Sequence, residues 1–193
     1  MFASLYFLAT LYYPGGSAFN RDTKGFSWAN NYWCNLLDGK AINGQPNSAQ
    51  PVAWVAMIVL CFTLAYFWWI FPGYTTLRRY TKAMIRVSGL LAMGAGILLF
   101  TRIDHDLITN LASLLGLIAT VGTFTGLYKN GWKGLFLFGV LNILLVIANN
   151  FLYYNEAYIS YLPLVQKITF VSFLAWISCI CFKMYRTENP QTR

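Results

Sequence analysis

Apolar runs long enough to cross a bilayer, separated by short polar breaks, make up most of this chain. A spanning helix needs about 20 mostly apolar residues. The pattern predicts spans at 52–71, 85–101, 107–128, 134–153 and 161–182. Pro72-Gly73 stops the first of these. The second is short but flanked by Arg86 and Arg102, whose long side chains reach water from inside a helix end. A sixth candidate, 1–13, is apolar and ends at Pro14-Gly15-Gly16. A helix of that length reaches about 20 Å, against about 30 Å of hydrocarbon. No Lys or Arg precedes Arg21, so a signal peptide with a basic leading region fits poorly. A short or truncated first helix is the expectation. The fold class predicted is all-α: a polytopic membrane bundle of about six transmembrane helices, one domain over 1–193, with a long ordered outer loop at 14–50.

Composition sharpens this picture. The chain is 58% hydrophobic and 10% charged, where soluble domains carry about 25% charged residues. Lipid-facing surface removes the need for a polar coat. Aromatics reach 18%, which suits Trp and Tyr anchors at headgroup level. The net charge of +8 does not point to nucleic acid, because the cations form no single patch. With the C-terminus taken as cytoplasmic, one side holds Arg78, Arg79, Lys82, Arg86, Lys129, Lys133, Lys183, Arg186 and Arg193. The other holds Arg21, Lys24, Lys40 and Arg102, with Lys167 inside the last span. Cations that concentrate on one side in successive loops follow the positive-inside rule. Asp22, Asp38, Asp104, Asp106 and Glu156 fall on the opposite, outer side.

Small residues mark helix contacts. Ser88, Ala92 and Gly96 form a row at spacing four, and Gly122 and Gly126 make a GxxxG pair. Such residues let backbones approach where lipid supplies no hydrophobic drive; packing within the bundle is the expected use, ahead of a dimer face. Asn110, Asn142, Asn149 and Asn150 lie in or at the ends of spans, where each is expected to bond a neighbouring helix. Cys34, Cys61, Cys179 and Cys181 show neither disulfide nor metal spacing. Cys61 reads as a packing residue, and Cys179 and Cys181 as packing residues with acylation the alternative.

The loop 14–50 exceeds the usual length for a structureless connection. Phe19, Phe26, Trp28, Tyr32, Trp33, Leu36 and Leu37 give it apolar mass to bury. It is expected to form a cap, with Trp28, Tyr32, Trp33 and Leu36 packed on the helix ends. Tyr13-Pro14-Gly15-Gly16, Gly25-Phe26-Ser27-Trp28 and the run Asn30-Asn31-Tyr32-Trp33-Cys34-Asn35-Leu36-Leu37 resemble the outer-loop signature of the bacterial domain-of-unknown-function-998 membrane family. The order of spans and the acidic-His element before the fourth are similar over nearly the whole chain. The short first helix departs from the family pattern. The resemblance implies a bacterial inner-membrane protein, distantly similar to six-span proteins of the Frag/DRAM/Sfk type associated with lipid remodelling and membrane organisation. It implies no defined reaction.

Candidate chemistry gathers on the outer side. Arg102, Asp104, His105 and Asp106 are the densest ionisable cluster, and His105 is the only histidine. A carboxylate beside an imidazole can orient it as a general acid or base. Against this, Asp104 or Asp106 can cap the helix that begins at Leu107. A catalytic zinc usually takes three protein ligands, several of them histidine. One histidine leaves only an Asp/Glu-rich site, better suited to magnesium or calcium; no metal and no cofactor is the expectation. No phosphate loop, nucleophile elbow or haem motif appears. Lys167 either snorkels or pairs with Glu156 or Asp38. These groups are expected to converge beneath the cap as a binding site. The function expected is a non-catalytic integral membrane protein, either lipid-associated or an accessory subunit of a membrane assembly. Membrane lipid is the expected partner, with other membrane chains as a further one. The alternative is a membrane enzyme acting on lipid with His105 as acid or base.

Overall fold

The computed structural model describes residues 1–98 and 105–188, without the side chains of 105–107 and 109. Among these residues the chain is helical: α1 (Phe2–Leu11), α2 (Gln50–Ile70), α3 (Arg79–Leu98), α4 (His105–Lys129), α5 (Lys133–Tyr153) and α6 (Leu162–Glu188). Short 3-10 turns at Trp33–Leu36, Phe71–Tyr74 and Ile159–Tyr161 punctuate them. Five helical segments are long and apolar enough to cross a membrane: Gln50–Tyr74, Arg79–Leu98, Asn110–Lys129, Lys133–Tyr153 and Ile159–Glu188. At about 1.5 Å per residue, the 21 residues of α5 rise about 31 Å, the thickness of the hydrocarbon. The protein is a multi-span integral membrane protein.

The pattern of burial agrees. Phe62, Tyr66, Trp69, Leu117, Leu144 and Phe151 are exposed, whereas Ser88, Thr123, Asn142 and Lys167 are buried. Polar groups inside and apolar groups outside is the arrangement that lipid selects. Ser88 and Thr123 hold their hydroxyls on their own helices, on Met84 O at 2.7 Å and Ala119 O at 2.9 Å.

Helix α1 is shorter than the apolar run that encodes it. It has 10 residues, a rise of about 15 Å, and stops before Tyr13 because a residue preceding proline is driven out of the helical region. Helix α3 begins at Arg79, six residues ahead of the apolar stretch. A helix continues into its charged first turns outside the hydrocarbon, where hydropathy no longer marks it. The same holds for the end of α6 at Glu188.

The chain divides into two compact units, Met1–Val59 with Leu141–Phe173, and Leu60–Val140 with Leu174–Arg193. In the second unit α3 packs along α4. Gly122 of the GxxxG pair faces Ile85, and a Cβ there would run into that side chain. Gly126 abuts Phe71 and Thr75, and Gly96 lies against Cys61. The small residues therefore pack helices within the bundle, as their spacing suggested. Trp176 of α6 donates its indole N–H to Leu135 O of α5 at 2.7 Å and lies against Phe124. Asn130 bonds Tyr74 O at 2.7 Å and accepts from Thr76 N at 3.0 Å, closing the α4 end onto the turn after α2.

The first unit contains α1, the long loop, and the adjoining parts of α2, α5 and α6. Tyr6, Ala9, Tyr13, Leu36, Ala41, Ala49, Ala53 and Ala56 form its buried core. The loop is therefore ordered and shares a core with α1 and α2.

Candidate functional site

The loop is built as two tight folds bracketed by buried asparagines. In the first, Gly16 N donates to Thr23 O at 2.7 Å and Ser17 N to Asn20 O at 2.8 Å. Gly16 has φ +84 and its missing Cβ would run into Asn43, so only glycine serves there. In the second, Ala41 N donates to Gln45 O at 2.9 Å and Asn47 N to Gly39 O at 3.1 Å. Asn31 is fully buried. Its Nδ2 donates to Gly16 O at 2.7 Å and to Asn35 Oδ1 at 3.3 Å, while its Oδ1 accepts from Ser27 N at 2.8 Å. Asn35 Oδ1 also accepts from Tyr32 N at 2.8 Å. Asn47 Nδ2 donates to Asn35 O at 3.0 Å and Asp38 O at 2.7 Å, and its Oδ1 accepts from Ala49 N at 3.1 Å at the entry to α2. Buried loop backbone must find partners, and these amides supply them. The loop is the cap.

Its aromatic residues lie against helices. Tyr6 of α1 donates its hydroxyl to Trp33 O at 2.9 Å, with the two rings 4.8 Å apart edge to face. Trp33 lies 6.2 Å from Phe170 of α6, and Phe2 of α1 lies 5.4 Å from the same ring. Trp28 stacks on Phe7 at 6.0 Å but remains 45% exposed. Leu36 is fully buried and Tyr32 half-buried. Gln50 Nε2 and Trp54 Nε1, both of α2, donate to Leu37 O at 2.9 and 3.3 Å.

Lys167, in the second turn of α6, is 6% exposed. Its ammonium donates to the carbonyls of Asn31 and Pro163, the latter at 2.9 Å. It also stands 5.5 Å from the Phe26 ring and 5.7 Å from the Trp33 ring. Backbone carbonyls and aromatic faces, rather than a carboxylate, receive the charge. The lysine thus ties the cap to α6.

Of the other sequence candidates, Asp38 is exposed on the cap and Glu156 is exposed in the turn between α5 and α6. Arg102 and Asp104 lie outside the described residues, as do the side chains of His105 and Asp106, whose backbone opens α4. Cys34 reaches the cap surface. Desolvation of its sulfur, with the Asp38 carboxylate nearby, raises its thiol pKa above the ordinary value, and a thiol held protonated is a poor nucleophile.

Beside the cap, α5 and α6 form an open groove of about 320 Å³. Asn142, Val146, Asn149, Gln166, Thr169, Phe170 and Phe173 line it. Asn149 Nδ2 bonds Thr169 Oγ1 across the two helices at 2.6 Å, whereas Asn150 bonds only Val146 O of its own helix at 2.9 Å. Asn110 is exposed. The expectation of a neighbouring-helix bond thus holds for Asn149 and fails for Asn150, which faces outward and is satisfied one turn back. Gln166 Oε1 accepts from Trp33 N at 3.4 Å, which links the lining to the cap. Gln166 and Thr169 escaped the sequence reading. Their spacing of three in an apolar span was the available signal, since it places both on one helix face.

Comparison of this chain with protein families, with curated proteins and with solved structures gives no match.

Proposed function

We propose that this is a non-catalytic, lipid-associated membrane protein whose cap faces the outer side and whose α5–α6 groove holds a lipid. One observation carries the reading: an open groove of about 320 Å³ between two apolar helices, its walls almost wholly apolar with four uncharged polar residues among its lining. That volume falls within the range of small-molecule sites, about 300–1,000 Å³. Val146, Phe170 and Phe173 suit acyl chains, and Asn142, Asn149, Gln166 and Thr169 suit a polar group near the membrane boundary. The cation-rich loops support placing the opposite end in the cytoplasm. The cap motifs support kinship with the domain-of-unknown-function-998 family.

A second reading, an accessory subunit, is favoured by α5. Only 11% of its apolar window is buried, against 39% for the helix Gln50–Tyr74, which leaves a face that a partner helix could cover.

Mild-detergent extraction followed by native mass spectrometry distinguishes the two. The full chain is expected to retain one lipid, and Val146→Trp, which fills the groove, is expected to lower occupancy about tenfold, a loss of about 1.4 kcal/mol. Retention of stoichiometric protein partners and no lipid would replace this reading with the second.

A further inference from the structure

Arg86 of α3 is anchored with most of its guanidinium unused. Its Nε donates to Trp69 O of α2 at 3.0 Å, and the group stands 5.3 Å from the Trp69 ring. The two terminal amino groups carry the other N–H donors and have no partner among the described residues. Arg86 belongs to the segment Arg79–Leu98, which is apolar enough to span. A charge in such a segment is stable only when paired, hydrated or bound to a ligand.

Its neighbours on the helix are like charges. Arg79, Lys82 and Arg86 stand at i, i+3 and i+7 of α3, within about 60° of one another at 3.6 residues per turn. Like charges so placed repel, and no acidic residue occupies the first turn of α3. The sequence holds no carboxylate side chain between Asp38 and Asp104. Glu188 of α6 approaches the turn after α2, but it accepts from the Tyr74 hydroxyl at 2.9 Å. None of the three cations forms an ion pair among the described residues.

The face they share runs from headgroup to hydrocarbon. Arg86 sits at the edge of the apolar stretch, and Lys82 and Arg79 lie about 6 and 10 Å farther out along the axis. Trp69, one residue before the end of α2 at Ile70, is exposed beside Arg86, where an interfacial aromatic belongs. Gly89 lies against Trp68 and Gly96 against Cys61, so α2 and α3 run antiparallel in close contact. Leu90 follows Arg86 on its face, Tyr66 and Phe62 follow Trp69 on theirs, and all three are exposed.

We infer that Arg79, Lys82 and Arg86 bind the phosphate of an anionic phospholipid, whose acyl chains lie along Leu90, Tyr66 and Phe62 at the α2–α3 seam. Arg86 presents its terminal amino groups to two phosphate oxygens, the fork that suits guanidinium to phosphate. Lys82 and Arg79 add positive charge farther out. A zwitterionic lipid is disfavoured, because its ammonium would enter a cluster of cations with no carboxylate to receive it. The site lies apart from the α5–α6 groove and goes beyond the reading given for that groove.

The test titrates delipidated full-length protein in detergent with dioleoylphosphatidylglycerol and dioleoylphosphatidylcholine, which share chains and phosphate but differ in net charge. Occupancy is read by native mass spectrometry. The wild type is expected to favour the anionic lipid about 30-fold, since each cation is worth about fivefold and the shared phosphate recovers part of that for the zwitterion. Arg86→Gln and Lys82→Gln are each expected to cut the preference about fivefold. Lys82 Nζ makes no bond among the described residues, so Lys82→Gln carries the test should Arg86→Gln fail to fold. Lys133→Gln removes the same charge from the start of α5 and is expected to leave the preference within about twofold. Equal binding of the two lipids by the wild type would overturn the site. A fall in Lys133→Gln equal to that in Lys82→Gln would replace it with diffuse attraction to a basic surface. Val146→Trp, which blocks the other groove, is expected to keep the preference; its loss there would move the selection to that groove and overturn the inference.

Discussion

Asn31→Leu is expected to lower the thermal midpoint of the detergent-solubilised protein by roughly 6–12 °C, from a loss of about 3 kcal/mol at about 2–4 °C per kcal/mol. The size follows from what leucine leaves behind. Asn31 is fully buried and answers Gly16 O, Asn35 Oδ1 and Ser27 N with one amide. Leucine keeps the branching and the number of side-chain heavy atoms but carries bulkier methyl groups, so it leaves no cavity and the main loss is of hydrogen bonds. It strands the carbonyl of Gly16 and the N–H of Ser27, each worth about 1–3 kcal/mol when unsatisfied. The neighbouring Asn30→Ala is the control, since a half-buried side chain away from such brackets typically costs about 0.5 kcal/mol or less. Tryptophan fluorescence follows the transition, because Trp28 and Trp33 lie in the affected fold. Equal stability of the two variants would remove Asn31 from its place as the organiser of the cap.

Lys167→Met should release the cap from α6 while leaving the spans folded. Two effects oppose each other. Methionine abolishes the cost of burying a cation, which is several kcal/mol even after relaxation. It also deletes two charge-assisted bonds, worth about 1.5–3 kcal/mol each, and leaves Asn31 O without its donor. The aromatic faces of Phe26 and Trp33 add about 0.5–2 kcal/mol that methionine does not fully replace. The loss wins because the carbonyl stays buried after the cation has gone. A net weakening of about 2 kcal/mol raises the open population of the cap about 30-fold. Limited trypsinolysis at Lys24 and Lys40 reads that population when opening is fast relative to cleavage, so their cleavage should accelerate by about the same factor. Unchanged cleavage would mean that the cap is held without the lysine.

The membrane helices were legible because lipid imposes one requirement on every spanning segment, a long apolar run with its backbone satisfied internally. Where a helix leaves the lipid, that requirement lapses; the first turns of α3 at Arg79 and the last of α6 carry no hydropathy signal for that reason. The cap was legible as apolar mass, through Trp28, Trp33 and Leu36, since so much aromatic surface needs cover. Its brackets were not. The partners of Asn31, Asn35 and Asn47 are loop carbonyls and N–H groups that come within reach only after the chain has folded. Lys167 shows the same limit: its sequence neighbours suggest snorkelling or a carboxylate, while the groups that receive it belong to the cap backbone and the rings of Phe26 and Trp33. The groove was half visible, in Asn142 and Asn149 on one helix face, and its other wall depends on how α6 turns Gln166 and Thr169 toward them.

Thiol labelling of intact cells with a membrane-impermeant reagent tests the central claim, an ordered cap on the outer side of a multi-span bundle. In a background without native cysteines, three single replacements are compared. Gln45→Cys stands at an exposed cap position, Ala49→Cys at a fully buried one, and Thr187→Cys near the far end of α6. The account predicts prompt labelling of Gln45→Cys, labelling of Ala49→Cys only after denaturation, and labelling of Thr187→Cys only after permeabilisation. Ala49→Cys reacting as fast as Gln45→Cys would show the cap to be loose chain, and Thr187→Cys reacting in intact cells would reverse the orientation.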